Sequence, residues 1–192
     1  MPPKCRFTRE EIIQAALDLT AEKDVGALTA RGLAQRLGSS AKPIFGLFAN
    51  MEEVQQEVVK AANLRYQEYL RQDMSAGRYP PYKASGMAYI RFAREQKELF
   101  KLLFMRDRTH EEKAAGDELE ALLGLIQKNM GLSRDDAYRF HLEMWIYVHG
   151  IATMIATAYL EWDMDFISAA LTDAYQGLRL RFLPKETEGE RK

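Results

Sequence analysis

Cationic and small side chains lie together in the first quarter of the chain, within a segment that has no acidic residue. The ionised side chains between residues 25 and 51 are Arg31, Arg36 and Lys42, although the 192-residue chain has a formal net charge of −1. The small and polar residues next to Lys42 are Ser39, Ser40, Ala41 and Gly46. Lys and Arg neutralise phosphates, and small side chains allow close approach to base edges. The segment therefore predicts contact with double-stranded DNA.

The residues around this segment predict two short helices joined by a tight turn. Thr29 is a preferred N-cap residue, and it precedes Leu33 and Leu37, which have the one-turn spacing of a buried helix face. Gly38 follows the last of these positions, where a glycine can adopt the left-handed conformation that ends a helix. These residues predict the first helix and the turn of a helix-turn-helix.

Pro43 sets the start of the second helix, because proline lacks an N–H and is tolerated only in the first helical turn. That helix is expected to begin at about Ser40 or Ala41, with a serine available as its cap, and to bury Ile44 and Phe48. The residues expected to face outward are Ser40, Ala41, Lys42, Phe45 and Gly46. An ordinary helical hairpin inside a bundle is the alternative, but the outer face of such a hairpin usually carries more Glu and Lys.

Further residues on both sides of the hairpin match a known pattern. They are the first-helix sequence TREEIIQAALDL, Gly26-Ala27-Leu28-Thr29, Leu33-Ala34, Leu37-Gly38, Ile44-Phe45, Phe48 and Asn50. Together they resemble the DNA-binding domain of the tetracycline-repressor (TetR) family over residues 7–54. Farther along, Trp145, His149 and Gly150 resemble the Trp-x-x-x-His-Gly signature of the regulatory domain in one group of these regulators. The resemblance implies DNA contacts from Thr29, Arg31, Ser39, Ser40, Ala41, Lys42, Phe45, Gly46 and Asn50.

The chain departs from the usual family pattern at two positions. Members of the family usually have Tyr at the position of Phe45 and Lys at the position of Met51, and both of those side chains usually contact phosphates. The resemblance therefore does not carry these two backbone contacts over to this chain, whose combination of Pro43-Ile44-Phe45 with Asn50-Met51 is similar to a recurring variant within the family. Asn50 and Glu53 match a capping box that opens the next helix, and the exposed N–H groups of its first turn are expected to replace part of this phosphate binding.

Helical periodicity continues through the rest of the chain, which predicts an all-α fold. Thr8 and Glu11 predict a capping box for a first helix that covers the hairpin. Later helices are expected over residues 51–74, 83–105 with a break near 96–98, 111–130, 133–161 and 163–182. The predicted domains are a DNA-binding domain over 1–50, a helical effector-binding and dimerisation domain over 51–184, and a disordered tail over 185–192. The helix over 51–74 is expected to connect the two domains.

Large apolar side chains with a few polar groups occur along the second half of the chain and suit the lining of a ligand cavity. The candidate ligand-binding residues are Phe92, Phe100, Phe104, Met144, Trp145 and His149. The same residues could simply fill a helical core, and a lone histidine such as His149 is usually a hydrogen-bonded packing residue. The family resemblance implies a small apolar or amphipathic effector, without identifying the residues that touch it.

The last two long helices have more apolar surface than one core can readily cover. The candidate dimerisation residues are Ile151, Ile155, Tyr159, Phe166, Ala170 and Ala174. Alanines on these helices allow helices of two subunits to approach closely, so we expect a homodimer that forms a four-helix bundle. A monomer that buries these faces internally is the alternative.

The composition and the remaining motifs argue against other classes of protein. The chain is 47% hydrophobic and 29% charged, and it has no apolar stretch long enough for a membrane span or a signal peptide. Cys5 is the single cysteine, so an internal disulfide and a thiolate zinc site are excluded, and the three histidines lack metal-ligand spacing. The sequence contains no Gly-x-Ser-x-Gly elbow and no nucleotide-binding glycine loop. We therefore expect a cytoplasmic protein without a cofactor, a metal or a catalytic site.

The sequence predicts a ligand-responsive transcriptional regulator. The resemblance implies a homodimeric repressor whose hairpins fit successive major grooves until an effector binds. Two alternatives remain open. The first is a helical small-molecule-binding protein with weakened or lost DNA binding, which Phe45 and Met51 would allow. The second and weaker one is an α-helical enzyme that acts within the cavity and would turn over its ligand.

Overall fold

The computed structural model describes residues 7–107, 109 and 116–182, and every regular element in these residues is helical. The helices of the first half are α1 (Arg9–Glu22), α2 (Ala30–Arg36), α3 (Lys42–Phe45), α4 (Met51–Ser75) and α5 (Pro81–Glu95). The helices of the second half are α6 (Lys97–Phe104), α7 (Asp117–Met130), α8 (Arg134–Ala156) and α9 (Met164–Phe182). The predicted all-α fold is confirmed. Cys5, the predicted start of a helix at Glu111 and the predicted tail over 185–192 lie outside the described residues.

The described chain packs as two compact units. The first comprises residues 7–72, 91–107 and 109, and the second comprises residues 73–90 and 116–182. Helices α4 and α5 therefore each contribute residues to both units. The predicted division at residue 50 into a DNA-binding and an effector-binding domain is a division by function, and it stays a prediction.

Local capping signals define the first two helices as expected. The Glu11 N–H donates to Thr8 Oγ1 at 3.1 Å, and the Thr8 N–H donates to Glu11 Oε2 at 2.8 Å, which completes the predicted capping box of α1. Thr29 Oγ1 accepts a hydrogen bond from the Gly32 N–H at 3.0 Å and caps α2. Both caps satisfy backbone donors that have no partner inside the helix.

The turn between α2 and α3 has the predicted left-handed glycine but lacks the predicted serine cap. Gly38 adopts a φ of 58°, and the next helix begins at Lys42 with Pro43 in its first turn. Ala41 holds the N-cap position, so no side chain caps the helix and neither serine has the expected capping role. The physical reason is that Ala41 is already helical, with φ −72° and ψ −12°, whereas a side-chain cap requires an extended residue.

The later helix ends agree with the sequence except at the end of α8. Gln96 separates α5 from α6 as predicted, and Gly131 ends α7 with a φ of 69°. Helix α8 stops at Ala156 instead of near residue 161, because Ala158 adopts a left-handed φ of 55° and the Tyr159 N–H donates to Met154 O at 2.9 Å. Glycine usually supplies this helix ending, so an alanine gave no sequence signal.

Each unit buries apolar side chains from several helices. In the first unit, Ile12 of α1, Leu33 of α2 and Ile44 of α3 are fully buried. In the second unit, a core cluster draws its side chains from α7 and α8, and residues of α9 pack against it. Its buried members are Leu123, Ile126, Met130, Ala137, Phe140 and Met144. The hairpin is therefore held from one side only, which leaves its other face exposed.

Gly32 lies where α2 passes close to the preceding turn. A Cβ at this position would lie 2.6 Å from the Ala27 carbonyl oxygen, and the obstructing atom belongs to the backbone. This close approach could not be predicted from the sequence, because a helical glycine has no distinctive local signal.

We expect Gly32→Ala to destabilise the protein by about 1–3 kcal/mol, since the added methyl group must displace backbone. Gly124→Ala is the matched control, because Gly124 lies within α7 and a Cβ there meets no atom within 4 Å. That control should raise stability by about 0.5–1 kcal/mol. Urea unfolding of both variants measures the difference, and equal midpoints would contradict this account of Gly32.

Candidate functional site

The outer face of α3 carries the side chains that the sequence predicted to face outward. Ile44 and Phe48 are buried, whereas Lys42, Phe45 and Gly46 are exposed. Ser40 is also exposed, and Ser39 and Ala41 are partly exposed. One side of the helix is therefore buried in the core. The other side is a surface that carries a positive charge, small side chains and one exposed phenyl ring.

The other candidate DNA-contacting residues are exposed around this face. Arg31 and Lys42 make no ion pair with any described residue, so both charges are available for phosphates or bases. Thr29 and Asn50 each cap a helix through a side-chain oxygen. Thr29 accepts a hydrogen bond from the Gly32 N–H at 3.0 Å, and Asn50 accepts one from the Glu53 N–H at 2.9 Å. The Thr29 hydroxyl proton and the Asn50 amide group can still donate to an acceptor.

Arg36 differs from the other two cations of the segment. Its guanidinium donates to both carboxylate oxygens of Glu22 at 2.7 and 2.8 Å, and it lies 3.9 Å from Asp18. The hydrogen bond from Arg36 lowers the pKa of Glu22 below its usual value. The charge of Arg36 is therefore balanced by carboxylates of α1, unlike the charges of Arg31 and Lys42.

Arg9 is a functional candidate that the sequence analysis missed. Its guanidinium donates to Leu47 O at 2.9 Å and to Glu53 Oε1 at 2.8 Å, and it lies 4.2 Å from the centre of the Phe48 ring. A second acidic contact, to Glu57, spans 3.5 Å. Arg9 thereby links the start of α1 to the segment between α3 and α4. Partners this distant in sequence could not have been found from local spacing.

The predicted capping box at the start of α4 is only half formed. Asn50 accepts the Glu53 N–H as expected, but the Glu53 carboxylate accepts the Ala49 N–H at 2.7 Å instead of the Asn50 N–H. The hydrogen bonds from Ala49 and from Arg9 lower the pKa of Glu53. The carboxylate is therefore ionised at neutral pH, and its charge is balanced by Arg9.

Three of the candidate ligand-binding residues belong to an aromatic cluster in the first unit. Phe92 and Phe100 are fully buried, and Phe100 lies 5.2 Å from Phe104 between ring centres. Tyr66 joins them, with its ring centre 5.4 Å from Phe92 and 5.3 Å from Phe104. Tyr69 also contacts Phe92, at 5.3 Å, and its hydroxyl donates to Glu95 at 2.8 Å. Tyr66 and Tyr69 were not predicted as members of this cluster, because they lie on a different helix from the phenylalanines.

The other three candidates lie in the second unit, on α8. Met144 is buried in the core cluster, whereas Trp145 is 44% exposed and stacks on His149 with 5.0 Å between ring centres. His149 is hydrogen-bonded through Nδ1 to the Tyr89 hydroxyl of α5 at 2.8 Å. Trp145, His149 and Tyr89 thus form one contiguous polar and aromatic group.

A second tyrosine and histidine repeat this pairing between the same helices. The Tyr82 hydroxyl lies 3.2 Å from His141 Nδ1, and the Tyr82 ring contacts Phe140 and Tyr175. Burial lowers the pKa of both His141 and His149, and burial also raises the pKa of Tyr82 well above its usual value. Both histidines are therefore neutral at pH 7.

The candidate dimerisation residues differ in their exposure. Ile151 and Ile155 are buried within the second unit, so their side chains fill their own core. Tyr159 and Phe166 are exposed, and Ala170 and Ala174 are partly exposed. Other large apolar side chains that α8 and α9 leave exposed are Tyr138, Leu142, Trp145, Ile146, Tyr147 and Leu180. The four-residue spacing of Tyr138, Leu142 and Ile146 is the sequence signal that could have identified them.

Two other kinds of site were sought among the described residues. No group of three or more His, Cys, Asp or Glu side chains in these residues could hold a metal ion. No helix in the described ranges is long and apolar enough to cross a membrane.

The chain was compared with known proteins. Residues 82–175 match the model of the tetracyclin repressor-like C-terminal domain family. The match contains the α5 and α8 residues of both tyrosine–histidine pairs, and it does not include residues 7–54. No curated protein matches the chain. The narrower subgroup with the Trp-x-x-x-His-Gly signature stays a prediction.

The lowered pKa values of the two histidines predict that the stability of the protein depends on pH. Because their pKa values are lower in the folded protein than the ordinary 6.5, the unfolded chain binds protons first as the pH falls. We therefore expect the melting temperature to fall between about pH 7.5 and 5.5, a range above the titration of the carboxylates. Replacing both residues, as His141→Gln with His149→Gln, should reduce this pH dependence. An unchanged dependence would show that the two histidines do not cause it.

Proposed function

The chain belongs to the TetR family of transcriptional regulators, and we propose that it is a homodimeric repressor that a small-molecule effector releases from its operator. The observation that carries the DNA-binding part is the outer face of α3. This face presents Lys42 and Phe45 to solvent, in a segment from 25 to 51 that has no acidic residue. Such a surface combines phosphate attraction with close access to base edges.

The attachment of the hairpin to α1 supports this proposal. DNA recognition requires that α3 keep one orientation in the major groove, since a shift of a side chain by about 1 Å breaks a hydrogen bond to a base. Arg9 fixes the segment after α3 through Leu47 and Glu53, and Arg36 fixes α2 through Glu22. The proposed roles therefore differ: Arg31 and Lys42 contact DNA, whereas Arg9 and Arg36 position the residues that do.

We propose that two copies of the chain associate through α8 and α9, so that two hairpins reach successive major grooves about 34–36 Å apart. Exposed apolar side chains support this interface. Tyr138, Leu142 and Ile146 recur every four residues on α8, and Phe166 of α9 is also exposed. Tyr159, Ala170 and Ala174 remain part of the proposed interface.

The effector part of the proposal rests on the family membership and on the character of the aromatic groups. Phe92, Phe100 and Phe104 offer apolar surface, and Trp145 with His149 offers a stacked and partly exposed pair. These groups suit a small apolar or amphipathic molecule. We place the protein in the cytoplasm, where its operator would lie, and assign it no catalytic role. Screening compounds for release of bound operator, with Trp145 fluorescence as the second signal, would identify the effector.

The DNA-binding proposal is tested by a salt series. Lys42→Ala should weaken operator binding by about 1–3 kcal/mol if Lys42 contacts a base, and each of Lys42→Ala and Arg31→Ala should reduce the salt slope by about one if it removes a phosphate contact. Arg71→Gln is the matched control, because it removes one positive charge from α4, outside the hairpin, where Arg71 is paired with Glu68, and it should leave the slope unchanged. Gel shifts over a range of salt concentrations measure both quantities.

The opposite outcome of this experiment is equally informative. Unchanged affinity and slope in both Lys42→Ala and Arg31→Ala would favour a helical small-molecule-binding protein that has lost DNA binding. The replacement of the usual Tyr and Lys by Phe45 and Met51 is the feature that supports this second candidate.

The dimer is tested by light scattering at micromolar concentration. We expect a mass near twice the 22.1 kDa of one chain. Ile146→Glu should place an unpaired charge in the interface and weaken the dimer by about 3 kcal/mol, which is roughly a hundredfold in the dissociation constant. Leu64→Glu is the matched control, since Leu64 of α4 is 66% exposed and Ile146 is 65% exposed. A monomeric mass for the unmodified protein would exclude the proposed interface.

A further inference from the structure

Phe45 has a large apolar side chain that is not buried in the core. It is 48% exposed, while its neighbours Ile44 and Phe48 on the opposite side of the same turn are 0% and 2% exposed. Its ring has no aromatic or cation–π partner among the residues that the structure describes. The core of the hairpin is already filled by Ile44 and Phe48. The exposed part of the Phe45 ring is therefore apolar surface that the fold of the hairpin does not require.

The position of Phe45 on α3 places it beside a cation. Residues three and four apart are neighbours on a helix surface, and the Phe45 N–H donates to Ala41 O at 3.3 Å while the Gly46 N–H donates to Lys42 O at 3.1 Å. Ala41, Lys42 and Phe45 therefore share one face. Gly46 follows, is exposed and adds no side chain to this face.

The chemistry of the ring narrows what it can contact. A phenyl group has no hydrogen-bond donor, so it cannot replace a tyrosine hydroxyl on a phosphate. In the major groove, the apolar group available at a base edge is the C5-methyl group of thymine, and Phe and Ala are among the side chains that contact it. Lys42 and Arg31 supply the charge that brings this face to DNA, since neither has an ion-pair partner in the described ranges.

We propose that Phe45 determines operator specificity by contacting the methyl group of one thymine in each half-site. The proposal rests on the proposed DNA-binding function and adds the identity of a base that the protein selects. The contact removes the methyl group and the face of the ring from water, without a new hydrogen bond. Phe45 is therefore a reader of base identity, at a position where the usual family residue contacts the phosphate backbone.

The experiment uses the full-length chain and a duplex selected from a randomised library. Each thymine of the selected duplex is replaced in turn by deoxyuridine, which keeps base pairing and removes only the methyl group. We expect one thymine position in each half-site at which deoxyuridine weakens binding about three- to fivefold, the effect of one buried methyl group. Phe45→Ala should bind the thymine duplex about tenfold more weakly and should not distinguish thymine from uracil at that position. Leu64→Ala, the loss of an exposed apolar side chain of α4, should respond as the unmodified protein does.

Three outcomes would overturn the proposal, and they can be told apart. Sequence-specific binding with no effect of deoxyuridine at any position would mean that the ring packs against the sugar–phosphate backbone, and the DNA-binding function would stand. A deoxyuridine effect that persists in Phe45→Ala would assign the methyl contact to another residue, with Ala41 as the nearest candidate. Failure to select any duplex sequence would overturn the DNA-binding function together with this inference.

Discussion

Two arginines connect the hairpin that carries the proposed DNA-binding face to α1. Arg9 links the start of α1 to the segment after α3, and Arg36 links the end of α2 to Glu22 at the end of α1. The two links are separated by the length of a 14-residue helix, roughly 20 Å, so the hairpin cannot pivot about either one alone. Partly exposed ion pairs contribute only about 0–1 kcal/mol each to stability. Burial of Ile12, Leu33 and Ile44 therefore stabilises the fold, and the arginines add two directional contacts between α1 and the hairpin.

In the second unit, α5 and α8 are likewise connected by two side-chain contacts. Tyr82 and Tyr89 are seven residues apart, His141 and His149 are eight apart, and each tyrosine bonds to the histidine at the matching level. Two hydrogen bonds at different positions along the helix axes fix both the relative direction and the register of α5 and α8. With a single hydrogen bond, one helix could still rotate about that contact. Because the histidines are neutral, the pairing introduces no buried charge into an otherwise apolar region.

Sequence reasoning worked where the physical cause was local and was incomplete where the cause lay far away in the chain. The Thr8 and Thr29 caps and the left-handed turn at Gly38 follow from residues within four positions of one another, and all three were predicted. The pairing of Arg36 with Glu22 spans 14 residues, and the bond between Tyr89 and His149 spans 60. Neither distance leaves a periodic signal, because the fold brings these side chains together only after the helices have packed.

In the candidate site, too, features with a local cause were predicted and other features were not. The exposed face of α3 was predicted from Pro43 and from the four-residue spacing of Ile44 and Phe48, since these fix which side of a short helix is buried. The early end of α8 was missed because Ala158 holds a conformation that alanine seldom adopts. The burial of Ile151 and Ile155 was missed for a different reason: an apolar side chain has the same periodicity whether it faces its own core or a partner.

The one-sided burial of α3 has a consequence for how this regulator can diverge. Ser40, Lys42, Phe45 and Gly46 are exposed, so substitutions among them leave the buried side of the helix unchanged. Surface substitutions of this kind usually alter folding stability by less than about 0.5 kcal/mol. If this face contacts DNA as proposed, a gene duplicate can acquire new target promoters through successive changes on it, because each intermediate keeps the buried residues Ile44 and Phe48 that hold the helix in place.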